Sequence, residues 1–229
     1  MRRVAALADV HGNLPALEAV LEEVRQAEPD LVVFCGDVAL GFLETETIDA
    51  LRELALPKRF VRGNCETEML AQQRPDADRA GFLAEFEPEV RVDVAGLGPV
   101  LFVHGTPRSE DEILTEASPV NVFAEAVSGV KASVVVGGHT HMQFVRGVGD
   151  QVFVNAGSVG RPYGEAGAFW ALLGPSIVLR RTVYDLDAAA RRLRDTEWAE
   201  DAATAATPPS REEAIAVFEK AAGRGTVLA

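Results

Sequence analysis

The 229-residue sequence has two cysteines, two tryptophans, two tyrosines and four histidines. Two cysteines cannot build a disulfide scaffold, and their scarcity fits a reducing compartment. Basic residues are also few. There are 22 Lys and Arg against 35 Asp and Glu, a net charge of −13. That balance excludes a protein held to nucleic acid by a broad basic surface, because phosphate backbones need Lys and Arg to neutralise them. A small anionic substrate stays open, since bound cations reverse the local field. No apolar run approaches the ~20 residues of a membrane-spanning helix. Met1-Arg2-Arg3 and the apolar stretch after it look like a leader only superficially, because Asp9 and His11 interrupt the stretch. The expected location is cytoplasmic.

The remaining composition is that of a globular protein, with 48% hydrophobic and 25% charged residues. The length suits one domain with a short appendage. The first ~65 residues alternate short apolar runs with helical patterns, as a parallel sheet covered by helices does. Strands are expected at Val4 to Leu7, Leu31 to Cys35 and Arg59 to Arg62. Between the first two, Asn13 caps a helix with Pro15 in its first turn, and Leu17, Val20, Leu21 and Val24 recur at helical spacing. Further strands are expected at Val90 to Val94, Val100 to Val103 and Ala132 to Val136, with helices over 76–87 and 120–130. The runs at 142–146, 151–155, 167–173 and 176–184 read as antiparallel strands completing a second sheet. The main domain is placed at 1–185. Residues 186–229 are expected to form a helical extension packed on it, with an Ala-rich linker near 202–207 and a last amphipathic segment from Arg211 to Ala222.

Polar residues fall at particular places in this pattern. Five apolar strands end in Asp9/His11, Asp37, Asn64, His104 and His139/His141, and all four histidines of the chain are in this set. Ligand sites of open α/β sheets form beyond the carboxyl ends of the strands. Residues spread over more than 130 positions therefore converge on one edge. An Asp after a strand is by itself only a turn or cap residue; the ordered set carries the signal. Seven nitrogen and oxygen donors are too many for one tetrahedral zinc. They suit two divalent ions ~3.5–4 Å apart, the arrangement that clamps a phosphoryl oxygen and supplies a nucleophile near neutral pH. Phosphoester hydrolysis is the main reaction class that needs both.

The ordered blocks Asp9-Val10-His11, Gly36-Asp37, Gly63-Asn64-Cys65-Glu66, His104-Gly105 and Gly138-His139-Thr140-His141 resemble the calcineurin-like metallophosphoesterase superfamily. Asn155-Ala156-Gly157-Ser158-Val159-Gly160 is similar to its small bacterial phosphodiesterase branch. The resemblance implies a four-layer α/β/β/α sandwich with a dinuclear centre at the strand ends. One metal would take Asp9, His11 and His141; the other would take Asn64, His104 and His139; Asp37 would bridge them. Asp37, Asn64, His104 and His139 are the expected catalytic residues. Manganese is the expected ion, with iron, zinc, nickel and magnesium as alternatives. A hydroxide held by the ions would attack phosphorus in line.

Cys65 departs from the pattern, since many members carry histidine there. It is read as a packing residue beside the site or a proton donor. Glu66 is read as the start of a helix or as an orienting group, with the helix start preferred. Asn13, Arg108 and Arg161 are candidate substrate contacts beside Cys65, although capping accounts for Asn13 equally well. Asn155 and Ser158 are read as shaping a loop near the site. The expected activity is a phosphodiesterase on a small nucleotide or other diester. Alternatives are a dinucleoside polyphosphate hydrolase, a phosphomonoesterase on a protein or small molecule, and a non-catalytic metal-bound scaffold. Stable nucleic-acid binding and membrane attachment are not expected. The helical tail is read as covering an open edge or making a homo-oligomer.

Overall fold

The computed structural model describes residues 1–194, 196, 198 and 206–224. Ten strands and seven helices are found among the described residues. The chain runs β1 (Val4–Leu7), α1 (Leu14–Ala27), β2 (Leu31–Cys35), α2 (Glu44–Glu53), β3 (Lys58–Val61), α3 (Asn64–Ala71) and α4 (Ala77–Ala84). It continues through β4 (Val90–Val94), β5 (Gly98–Phe102), α5 (Val120–Ala126), β6 (Val134–Gly137), β7 (Phe144–Val148) and β8 (Gln151–Asn155). It ends with β9 (Ala168–Leu173), β10 (Ile177–Thr182), α6 (Leu186–Leu193) and α7 (Arg211–Ala221). Of the expected linker at 202–207, residues 202–205 lie outside the described residues. No helix among the described residues is long and apolar enough to cross a membrane.

Alternation along the strands builds the layers, because successive side chains point to opposite faces. Val4, Ala6 and Ala8 face the second sheet, whereas Ala5 and Leu7 face the helices. Val33 and Cys35 face inward and Val32 and Phe34 outward in the same way. In the second sheet Val100, Phe102, Val134, Val136 and Val154 meet the first sheet. Leu101, Val103, Val135 and Phe153 pack under α5 through Phe123, Ala126 and Val127. The result is helix, sheet, sheet, helix, the four layers implied by the resemblance.

α1 shows how local chemistry sets the edges of these layers. Asn13 accepts a hydrogen bond from the Ala16 amide at 3.2 Å and so caps the helix. Leu17, Val20, Leu21 and Val24 are all buried against the first sheet, each worth about 1.5–3 kcal/mol of transfer free energy. Glu28 ends the helix in the left-handed conformation (φ 48°).

The sheet orders are β10-β9-β1-β2-β3 and β4-β5-β6-β8-β7. One expectation is corrected here. Residues 167–173 and 176–184 do not complete the second sheet. Their strands, β9 and β10, extend the first, with β9 antiparallel to β1 in the register Val4↔Leu173 and Leu7↔Trp170. β9 is apolar on both faces: Ala168, Trp170 and Leu172 face the helices, and Ala171 and Leu173 face the inter-sheet core. Such a strand belongs inside a sheet, where it also covers the open edge of β1. The remaining two, β7 and β8, do lie in the second sheet; they pair antiparallel with each other, and β8 pairs parallel with β6.

β1, β2 and β3 run parallel, and so do β5 and β6. Their carboxyl ends point to one edge of the sandwich. Contacts across the sheets at that edge, such as His104 Nδ1 to the Cys35 carbonyl at 2.8 Å, join the two sets of tips.

Candidate metal centre

The loops that follow these strands hold Asp9, His11, Asp37, His139 and His141 in the left-handed region, with φ from 48° to 67°. They are five of the seven non-glycine residues with positive φ among the described residues. Strain so confined to one cluster is a mark of a functional site. Close packing is equally specific. A Cβ on Gly63 would lie 2.2 Å from Asp37 Oδ1, and one on Gly138 would lie 2.5 Å from Asp9 Oδ2.

Three imidazoles are oriented by backbone carbonyls. His11 Nδ1 donates to Leu40 O (3.0 Å), His104 Nδ1 to Cys35 O (2.8 Å) and His141 Nδ1 to Arg161 O (2.7 Å). Each carbonyl takes the Nδ1 side of its ring, which turns each Nε2 toward the centre. His11 Nε2 and His141 Nε2 stand 3.2 Å apart, with Asp9 Oδ1 3.4 Å from the latter. His104 Nε2 stands 3.0 Å from Asn64 Oδ1 and 3.4 Å from Asp37 Oδ2. Asp37 Oδ2 is 3.8 Å from His11 Nε2. The His139 ring lies beside that of His104, centroids 5.1 Å apart, and its backbone N–H donates to Asp9.

His11 Nε2 and His141 Nε2, each with its Nδ1 donating to a carbonyl, repel at 3.2 Å unless a cation lies between them. The donor set therefore fits divalent metal. Asp9, His11 and His141 form one group with ligand atoms within 4.8 Å of one another; Asp9, Asp37 and His104 form a second, and His11, Asp37 and Cys65 a third. Asp37 belongs to two of the three.

The electrostatics hold His11 and His139 in the ligand form, whereas His104 is held by Asp37 in its protonated form until a cation takes the proton's place. Burial first, then the neighbouring imidazole, pushes His11 and His139 down to about 4, so both are neutral near pH 7, the form that binds metal. Burial opposes charge on His104 too, but the Asp37 carboxylate outweighs it and raises that imidazole to about 10. Burial would raise Asp37 as well; His104, and then His11, hold it well below the usual carboxylate range instead. Burial and then Asp37 push the Cys65 thiol far up. Cys65 is thus an S–H donor, 3.1 Å from Asp37 Oδ2, and its backbone N–H binds Asp37 Oδ1 at 2.9 Å.

The candidate substrate residues lie at different places. Asn13 is fully buried, and its amide is committed to the α1 cap and to the Gly160 carbonyl at 2.9 Å. Arg108 pairs with Glu112 through two nitrogens and lines a cleft with His104, Arg62 and Pro107. The Arg161 guanidinium lies over the rings of Phe42 and Trp198, 5.1 and 5.0 Å from their centroids. Arg161 brings its backbone carbonyl to the centre, and its charge is among the causes that lower His11. Asn155 and Ser158 tie the loops together: Asn155 donates to Gly138 O at 2.6 Å, and Ser158 Oγ donates to Asp9 O at 2.7 Å.

Of two further contributors, Tyr163 was not singled out by sequence, and for Glu66 the orienting role was the less preferred of two readings. Glu66 does start α3, as expected, with a capping bond from the Gly63 N–H at 2.9 Å. It also accepts the N–H groups of Asp37 and Val38, each at 2.8 Å, and so anchors the Asp37 loop. Burial and then Asp37 push its pKa up to about 7. Tyr163 stacks on the His141 ring with centroids 5.7 Å apart. Nothing in its sequence context marks that contact. The capping-box spacing from Gly63 to Glu66 was the one available signal for Glu66.

The family model described as the calcineurin-like phosphoesterase superfamily domain matches residues 2–174. The phosphodiesterase YfcE of Escherichia coli K12 is 36% identical over 78 residues, 30% of this chain and 42% of that protein. The chain thus spans less than half the length of the curated relatives it matches. Two solved structures share the fold. A metallophosphoesterase from Sphaerobacter thermophilus has a TM-score of 0.70 at 22% identity, covering 90% of this chain and 98% of its own. A hypothetical protein from Pyrococcus horikoshii OT3 has a TM-score of 0.75 at 18% identity, with the same coverage. With residues 2–174 matched by that family model, the chain belongs to the calcineurin-like phosphoesterase superfamily.

Proposed function

We propose that this protein is a metal-dependent phosphodiesterase hydrolysing a small nucleotide or similar diester. The observation that carries the reading is the set of inward-facing ligand atoms at the strand tips, with three imidazoles turned inward by carbonyls. The name of the curated relative, phosphodiesterase, supports the reaction class. Asp9, His11 and His141 would hold one ion. Asn64, His104 and His139 would hold the other, with Asp37 between them. When bound, the two ions would supply charge neutralisation at phosphorus and an activated water. The carboxylate and amide oxygens suit manganese, and the imidazoles suit iron, zinc or nickel. The two buried free thiols, Cys35 and Cys65, suit a cytoplasmic setting.

The chain's own residues do the positioning. The carbonyls of Leu40, Cys35 and Arg161 fix three imidazoles. Glu66 holds the Asp37 backbone, and Cys65 donates to the Asp37 carboxylate. The Cys65 S–H is committed to Asp37 Oδ2 at 3.1 Å, not to a leaving oxygen. A leaving oxygen then departs with little help from Cys65, which favours aryl oxides, and the phosphate oxygen of an anhydride, over sugar alkoxides. A phosphoanhydride hydrolase is the second reading, and one observation favours it: Arg62, which donates to the Ala84 and Phe86 carbonyls, lines the cleft beside His104, where a further phosphate would find a cation. Residues 1–185 are proposed as the catalytic domain and 186–229 as an extension packed on it.

The test compares bis-p-nitrophenyl phosphate with p-nitrophenyl phosphate on Mn-loaded protein, with His139→Ala alongside. Diester cleavage that exceeds monoester cleavage and disappears in the variant is the expected result. Monoester preference would replace the reading with a phosphatase. No turnover of either by metal-loaded protein would leave the anhydride hydrolase or the scaffold.

A further inference from the structure

A second cleft opens at His141, as the cleft of Arg62 and Arg108 opens at His104. Its volume is about 280 Å³, and its lining includes His141, Tyr163, Phe169, Leu179 and Arg211. For scale, an apolar protein cavity of about 150 Å³ holds benzene. His141 belongs both to this cleft and to the candidate metal centre. The loop that carries the Arg161 carbonyl to His141 Nδ1 also carries Tyr163 to the face of the same ring. Phe218 of α7 meets Tyr163 edge-on at 5.8 Å and supports it from behind. Phe169 and Leu179, from β9 and β10, add apolar wall on the inner side of the first sheet. The cations at the rim are already paired. Arg211 spans both oxygens of Glu116 at 2.8 Å and donates to the Gln143 carbonyl at 2.7 Å, while Glu165 faces Arg181 at 3.2 Å. Arg211 and Glu165 are thus each matched by an opposite charge, and the side chains left to meet a ligand include the flat and apolar Tyr163, Phe169 and Leu179.

We infer that this cleft is the specificity pocket for the substrate, and that it takes a planar aromatic substituent of the phosphoester, a nucleobase or aryl ring. The inference rests on the phosphoesterase reading only for the identity of the group attached to that ring. The probes are phenylphosphonate and methylphosphonate, neither of which is hydrolysed, titrated calorimetrically into Mn-loaded protein. Phenylphosphonate should bind at least tenfold more tightly than methylphosphonate. That preference should fall below threefold in Leu179→Trp, which fills the cleft, and in Tyr163→Leu, which removes one wall. The second variant keeps the test valid if the first does not fold. Equal binding of the two phosphonates by the parent protein, or a preference unchanged in both variants, would overturn the pocket. Retention of the preference in a protein that hydrolyses no phosphoester would sustain the pocket and end the phosphodiesterase reading.

Discussion

Replacement of Glu66 by glutamine decides which of two opposing effects governs the Asp37 loop. Glu66 is fully buried, and its carboxylate accepts three backbone N–H groups, from Asp37 and Val38 at 2.8 Å and Gly63 at 2.9 Å. One oxygen takes Asp37 and Gly63, the other Val38. A glutamine has one acceptor oxygen. Set to serve the first pair, it turns its NH₂ group toward the Val38 N–H, donor against donor. One buried N–H without an acceptor costs about 1–3 kcal/mol, and the other two bonds lose their charge assistance, about 0.5–1 kcal/mol each. Against this stands the desolvation of the carboxylate and its repulsion by Asp37, the two causes that raise Glu66 to about 7. Relief of both returns part of the loss and leaves about 2–3 kcal/mol. For a chain of this length that is ~4–12 °C in Tm. Thermal unfolding of chelator-treated Glu66→Gln and parent protein at pH 8 measures it. A Tm within 2 °C of the parent, or above it, would refute the reasoning and show that repulsion outweighs the three bonds. Metal affinity of the same variant, read by competition with a chromogenic chelator, should fall about 10–100-fold, as for other groups that hold a ligand in place.

Gly63→Ala places a Cβ against the Asp37 carboxylate, and such a displacement should cost about 100-fold in diesterase turnover. Manganese at about 100 times its Kd should raise Tm by roughly 5–10 °C, through about 2.7 kcal/mol of linkage, and chelator should reverse the shift. Cys35 and Cys65 are both buried, so the native protein should leave a chromogenic disulfide reagent unreacted while denatured protein reacts fully; rapid labelling of either thiol in native protein contradicts their placement. Glu219 of α7 accepts from Thr115 at 2.6 Å and Ser118 at 2.5 Å and pairs with Arg224 at 2.6 Å. Burial alone would raise its pKa, but Arg224 and the two hydroxyls hold it below the usual range. A folded pKa below the unfolded one means that its stabilisation is present above the unfolded value and lost as pH falls through the folded one. Chemical denaturation between pH 3 and 7 should therefore show a weaker acid decline for Glu219→Gln than for the parent, and equal slopes would reject the role.

The parts of this molecule that were legible in its sequence are those written in side chains at regular spacing. Alternating apolar strands, the cap at Asn13 and the polar residues at five strand tips are all of that kind. The second sheet was misread because a strand apolar on both faces, such as β9, carries no mark of the sheet it joins; only pairing with β1 decides it. The candidate centre was legible as a list of donors and illegible as a mechanism of alignment, because the groups that aim the donors are backbone carbonyls at Leu40, Cys35 and Arg161. Every residue has a carbonyl, so sequence cannot single one out. Arg161 makes the point most clearly. As a side chain it is a candidate phosphate clamp, yet its guanidinium lies between Phe42 and Trp198 while its carbonyl orients His141. Replacing Arg161 with lysine leaves that carbonyl in place and removes the planar stack. A large rise in KM without loss of metal would assign the side chain to substrate; an unchanged KM with lowered stability would leave the backbone as its contribution to the centre.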